Sequence, residues 1–179
     1  MTVVFVRDSS ESDLEAVQAI YAREVLQGFA SFEIVPPSLD EMGRRRADVL
    51  ARGLPYLVAE HEGAVVGYAY AGPYRTRPAY ATTVEDSVYV APAGRGMGVG
   101  SELLSALIAR CDAGPWRQMV AIIGDSGNAG SIALHRKAGF RDVGVLKNVG
   151  FKLGRWLDSV IMQRPLGAGH DRPPDDRIA

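Results

Sequence analysis

The segment Gly94-Arg95-Gly96-Met97-Gly98-Val99-Gly100-Ser101 constrains this chain more than any other. It follows a strand-like run, Thr83 to Val90, stopped by Pro92. It precedes a helical stripe of Leu103, Leu104, Leu107, Ile108 and Cys111. Glycines at alternate positions let the backbone approach a bound group closely. The first amides of the helix have no partners within it, and the helix dipole puts positive charge there. A strand, a glycine turn and a helix in this order suit a phosphate or pyrophosphate. Two nucleotide patterns fit poorly. A Walker loop needs Gly-Lys-Ser/Thr, and no lysine follows these glycines. A dinucleotide fingerprint belongs in the first βα unit and needs a third glycine, but three predicted strands come earlier and Ser101 follows Gly96 and Gly98.

The remaining chain reads as one domain over residues 1–164, with a Pro/Gly/Asp-rich tail, 165–179, expected to be disordered. Val3 to Val6 suits a first strand. Ser12-Asp13-Leu14-Glu15 has a capping-box pattern before Leu14, Val17, Tyr21 and Val25 at helical spacing, with Gly28 as the stop. A second capping box, Ser38 to Glu41, opens a helix whose expected apolar face is Leu39, Met42, Val49 and Leu50. Phe29 to Val35 reads as a loop. Tyr56 to Glu60 and Ala64 to Ala71 flank a His-Glu-Gly turn as a hairpin. Met119 to Ile123 is a fifth strand, Ser131 to Ala138 a short helix, and two last strands fall within Phe140 to Leu146 and Trp156 to Gln163. The order β-α-α-β-β-β-α-β-α-β-β predicts an α/β fold: one mixed sheet with helices on its faces.

Composition excludes several classes. A chain of 179 residues with 47% apolar residues can bury a full core. Twenty basic against twenty-one acidic residues give a net charge of -1, without the positive field of a general nucleic-acid binder. Cys111 is the only cysteine, which excludes disulfides and a Cys-rich zinc site; we expect no metal. No apolar run approaches the roughly 18 residues of a bilayer span. The first residues lack the basic start of a signal peptide, so a cytoplasmic protein is expected.

A third glycine pattern, Arg/Gln-x-x-Gly-x-Gly/Ala, matches as Arg95, Gly98 and Gly100. Three stretches accompany it: Tyr70-Ala71-Gly72-Pro73-Tyr74, Val84-Glu85-Asp86-Ser87-Val88-Tyr89-Val90-Ala91-Pro92, and Gly150-Phe151-Lys152-Leu153-Gly154-Arg155-Trp156-Leu157-Asp158. On these residues the chain resembles the GNAT superfamily of N-acetyltransferases, and more closely its phosphinothricin (methionine sulfoximine) N-acetyltransferase branch. The resemblance runs from about Val3 to Leu166. It implies the acyl-CoA N-acyltransferase fold, a mostly antiparallel sheet of about seven strands whose fourth and fifth splay apart around acetyl-CoA. Main-chain groups of Val88 and Val90, flanking Tyr89, would then pair with the pantetheine amides. The loop after Arg95, comprising Gly96, Met97, Gly98, Val99, Gly100 and Ser101, would hold the pyrophosphate. Asn128 matches a position that commonly contacts the coenzyme. Trp156 and Asp158 belong to a late strand that helps build a homodimer in the family.

Acetyl transfer to an amine needs a proton acceptor and stabilisation of charge on the thioester oxygen, but no protein nucleophile. Cys111 falls on an apolar helix stripe, where burial is its role. Glu85 is the candidate base, because the matching acid in the branch deprotonates the amine, directly or through a water. Asp86 has opposite strand parity, so only one of the two should face the gap. His135 is a second catalytic candidate, since the branch also has a histidine there. Tyr89 suits packing or proton donation to the thiolate; His61 and His170 are given no role. Arg75, Arg77 and Tyr80 match places where the branch contacts the acid groups of its substrate, and Phe32 is placed in the same pocket. Pro78 departs from the branch pattern. The expectation is direct attack, in a ternary complex, by the α-amine of a small acidic amino-acid analogue. The rivals are a protein or peptide amine as acceptor, and a non-catalytic acyl-CoA-binding module.

Overall fold

The computed structural model describes residues 4–174. Strands β2 (Tyr56–His61) and β3 (Ala64–Pro73) form the expected hairpin. Glu62 and Gly63 make its turn, both with left-handed φ of 50° and 79°, the geometry whose twist matches two right-handed strands. Alternation along β3 then sorts the two faces of the sheet. Tyr68 and Tyr70 lie on one face with Tyr56 and Tyr89, and Tyr21 of helix α1 (Leu14–Gln27) meets Tyr89 edge-on at 5.1 Å. Gly67 lies on the other, where a Cβ would stand 2.9 Å from Val99 and 3.0 Å from Leu103 of helix α3 (Val99–Asp112). Bulky residues thus fill one layer, and a small one admits a helix to the other.

Adding β1 (Phe5–Asp8), β4 (Thr83–Val90), β5 (Gln118–Gly124), β6 (Arg141–Lys152) and β7 (Arg155–Pro165) completes a seven-stranded sheet in the order β1-β2-β3-β4-β5-β7-β6. Every pairing is antiparallel except β4 with β5, which α3 connects as a crossover. That parallel pairing runs only from Thr83↔Gln118 to Asp86↔Ala121; beyond it the two strands part, as the resemblance implies. The core fills both sides of β2 and β3 and includes Val58, Tyr68, Leu103, Leu104 and Leu107.

Several boundaries differ from the sequence reading. The first strand lies two residues later than expected, with Arg7 bridging to Glu60 and Asp13; Val3 lies outside the described residues. The first capping interaction is made by Ser10 and Asp13 rather than by Ser12 and Glu15. The Ser10 N–H donates to Asp13 at 2.6 Å, because the Arg7 guanidinium grips that carboxylate at 2.7 and 2.8 Å and draws the helix start back. In α2 (Leu39–Ala51), Ser38 accepts from the Glu41 N–H as expected, and Met42 and Val49 are buried, but Leu39 and Leu50 are each 41% exposed. Helix α4 (Ala129–Lys137) starts two residues early because Asn128 caps it, accepting from the Ser131 N–H at 3.2 Å. Both last strands are longer than expected. Asp158 holds a register shift in β6 by accepting from Ser126, Lys147 and the Asn148 N–H, the hydrogen bonds that lower its pKa to about 2. Leu166 is fully buried and donates its N–H to the Arg117 carbonyl, so chain inside the expected tail packs on the domain; 175–179 lie outside the described residues. Among the described residues no helix is long and apolar enough to cross a membrane.

Candidate active site

Where β4 and β5 part, two cavities open and share walls made by Ala30, Val88, Tyr89, Gly124, Asn128 and Ser131. The larger, about 820 Å³, runs over Val88 to Val90 toward the start of α3. Arg95, Gly96, Gly98, Val99, Gly100 and Ser101 line it; Met97 is absent from its lining and packs against the core. Gly98 caps α3 with a φ of +81°, a conformation L side chains rarely adopt. The first i→i−4 bond of the helix is from the Glu102 N–H to the Gly98 carbonyl, so the amides of Val99, Gly100 and Ser101 precede the helical ladder. A Cβ on Gly100 would crowd Leu134 at 3.3 Å. Val99 buries its side chain in the core and can offer the cavity only its backbone. Ser87 to Val90 pair with β3 on one edge and have no strand on the other, which leaves an edge for an added strand. These features fit an extended chain carrying a phosphate group. Ile20, Glu24 and Gln27 of α1 and Lys137 of α4 also line this cavity, and nothing local in the sequence marks them.

The smaller cavity, about 430 Å³, continues along the gap and holds the titratable groups. Glu85 lies there, its carboxyl accepting no hydrogen bond from the described residues. Burial pushes its pKa up to about 7; the charge of Asp86 adds to the rise and Arg75 opposes it. Asp86 lines the same cavity, so the expectation that only one of the pair would do so fails. Their parities do differ, but the gap between parted strands opens on both faces of the sheet. Asp86 turns toward α4 and meets His135 Nε2 at 2.9 Å, with the two side chains 2% and 5% exposed. Burial disfavours the His135 imidazolium, but the hydrogen bond and charge of Asp86, with the Ser131 carbonyl, more than offset this and raise its pKa. Phe32 lines this cavity. Arg75, Arg77 and Tyr80 are exposed and line neither cavity; Arg75 stacks over Tyr74 at 5.0 Å, yet its charge is felt at Glu85. Tyr89 packs against Tyr21 and Tyr68, and burial raises its pKa well above the ordinary value. Cys111 is fully buried, its thiol pushed up to about 12 by burial, and it lines neither cavity.

The sequence reading treated Phe29 to Val35 as a loop and took Phe32 from it, but missed the side chains that hold it over this cavity. Tyr21 contacts Ser31 and donates to Glu33, and Arg45 holds Glu33 at 2.6 Å. Lys152 is buried and donates to the carbonyls of Ser31 at 2.6 Å and Glu24 at 3.4 Å, pinning the loop from beneath. Lys152 stands in a stretch quoted above, but a lysine amid exposed strand residues gives no sign of a partner 121 residues away. Among the described residues no group of three His, Cys, Asp or Glu side chains gathers as a metal site requires.

Residues 17–140 match the acetyltransferase (GNAT) family. The phosphinothricin N-acetyltransferase of Alcaligenes faecalis is 59% identical over 174 residues, covering 97% of this chain and 87% of that protein. An L-methionine sulfoximine/L-methionine sulfone acetyltransferase of Pseudomonas aeruginosa is 43% identical, covering 94% and 98%. The crystal structure of a GNAT superfamily phosphinothricin acetyltransferase from Sinorhizobium meliloti, in complex with AcCoA, superposes with a TM-score of 0.94 at 48% identity, covering 98% of this chain and 95% of that one.

Proposed function

Because the chain belongs to the acetyltransferase (GNAT) family and is an acetyl-CoA-dependent N-acetyltransferase, we propose that it acetylates the α-amine of a small acidic amino-acid analogue of the phosphinothricin or methionine sulfoximine type. The observation that carries this reading is the join of the two cavities at β4. The larger has the glycine turn and open strand edge suited to the coenzyme, and the smaller, of amino-acid size, holds a carboxyl poised near neutrality. The named activities of the relatives support the acceptor class.

Glu85 is the base. A free α-amine is mostly protonated at neutral pH, and a proton acceptor works best with a pKa near the working pH. Above about pH 7 Glu85 is ionised and takes the amine proton, directly or through a water. The amides of Val99, Gly100 and Ser101 hold the pyrophosphate, with Arg95 beside them. Main-chain groups of Val88 and Val90 align the pantetheine arm, and Asn128, already the cap of α4, stands where the two cavities meet. Both substrates reach one opening, so the amine attacks directly and Cys111 takes no part. Arg75, whose charge reaches Glu85 although it lines neither cavity, draws the acid groups of the acceptor toward the opening, and Arg77 and Tyr80 share its exposed loop. A screen of phosphinothricin, methionine sulfoximine, ordinary amino acids and peptides, read by thiol release, tests this. Turnover of the two analogues is expected; turnover of peptides alone would overturn it.

Val143, Val145, Leu146, Val149, Phe151 and Trp156 on β6 and β7 are 43% to 63% exposed, an apolar face suited to a second copy of this chain. We assign a homodimer to it, which sedimentation equilibrium would test: a monomer at micromolar concentration would exclude the assignment. A single buried cysteine fits a cytoplasmic setting.

A further inference from the structure

We propose that Asp86 is a positioning residue, which keeps both ring protons on His135 and so removes that histidine as a competing base, leaving Glu85 to take the acceptor's proton. The proposal rests on the reading of Glu85 as base. His135 Nδ1 lies 2.8 Å from the Ser131 carbonyl oxygen, a group that only accepts, so Nδ1 carries a hydrogen. Nε2 lies 2.9 Å from Asp86 Oδ2, also an acceptor when ionised. A ring facing an oxygen at each nitrogen needs two hydrogens, and the carboxylate supplies the balancing charge. No lone pair remains on the ring.

The surroundings support the same assignment. Among the described residues Asp86 Oδ1 is buried without a hydrogen-bond partner and His135 alone bonds this carboxylate, so a neutral ring would leave a buried charge uncompensated. The titratable groups facing the couple are Glu85, its neighbour on β4, and Cys111 of α3, both of which feel the Asp86 charge. Ala121 of β5 lies opposite Asp86, Phe140 meets the imidazole edge-on at 5.0 Å, and Ser159 of β7 lines the same cavity. Arg136 on α4 is engaged by Asp142.

Nitrogen-15 NMR of the imidazole rings in the full-length protein tests this without a variant. The chain has three histidines. His135 should keep both ring protons as pH rises above the ordinary imidazole range, because Asp86 holds them there. Loss of a ring proton from His135 within the ordinary imidazole range would overturn the proposal. A second test uses the activity. In Glu85→Gln/Asp86→Ala the imidazole can become neutral and has no side chain at 86 to hold its Nε2 lone pair, so turnover at pH 8 should exceed that of Glu85→Gln alone by roughly tenfold. A double variant no faster than Glu85→Gln, with its His135 neutral by NMR, would also overturn it. If the Asp86→Ala variants do not fold, the wild-type NMR titration decides. Full activity in Glu85→Gln alone would sink the base reading instead, a result distinct from the titration of His135.

Discussion

The two halves of β4 differ in one respect. From Thr83 to Asp86 the strand is bonded on both edges, to β3 and in parallel to β5; from Ser87 to Val90 it keeps β3 alone. The closed half is ordinary core, with Val84 buried opposite a fully buried Met119. The open half leaves backbone groups that would be costly in a dry interior, so a structure can keep them only where water or a ligand completes them. Glu85 and Asp86 stand at the boundary between the halves. Two adjacent carboxylates there have opposite fates: Asp86 is bonded to His135 through one oxygen, and Glu85 is left without a hydrogen bond among the described residues and held near neutrality. The proposed chemistry sits where the sheet stops closing.

Glu85→Gln should break this boundary most severely. We expect kcat at pH 7 to fall roughly 10²-fold or more, the usual range for a lost general base. Both Michaelis constants should change little, and activity should partly return as pH rises and the amine deprotonates unaided. Near-normal turnover from about pH 6 to 9 would remove Glu85 from the mechanism. In the closed half, Met119→Ala should lower stability in urea by about 2–5 kcal/mol, as a truncation in packed core does. Coenzyme affinity of the folded fraction should be unchanged; a parallel fall would mean that the halves are coupled.

The stability of Glu85→Gln sharpens the same contrast. In the folded chain Glu85 ionises near 7, against an ordinary value of 4.5, because it is buried. Below pH 4.5 the carboxyl is protonated in both folded and unfolded chains, and the variant and parent should be equally stable on this account. As pH rises through 7 the parent loses stability relative to the variant, by something on the order of 1–3 kcal/mol. Equal differences in urea midpoint at pH 4 and pH 8 would contradict the burial of that carboxyl. The smallest effect is expected at the far end of the open half. Gly98→Val forces a β-branched residue into a left-handed φ at the site proposed for the pyrophosphate, and should weaken coenzyme binding roughly tenfold by calorimetry. Unchanged affinity in the folded variant would take the glycine turn out of the coenzyme site.

What could be read from the chain alone was local. The Glu62-Gly63 turn, the helical stripe of α3 and the glycine run are patterns over a few residues, and they need no distant partner to act. The same holds for the strand carrying Glu85 and for Val88 to Val90, because strand parity follows from a period of two. Family resemblance added the splay of β4 and β5, which no local pattern contains. Element boundaries moved wherever a remote or flanking side chain intervened: Arg7 drew Asp13 into the start of α1, Asn128 capped α4, and Asp158 carried β6 through its register shift.

Tertiary structure alone decided which of the candidate residues meet. It joined Asp86 to a histidine 49 positions away, and set Lys152 beneath the Ser31 carbonyl across 121. It left Arg75 and Arg77 on the exposed loop outside both cavities, and brought Glu33 and Tyr21 into the smaller one. Sequence spacing specifies backbone conformation and the face on which a side chain emerges. Contact across the sheet depends on register, cap position and the point at which two strands part, and those are set by the packing of the whole core.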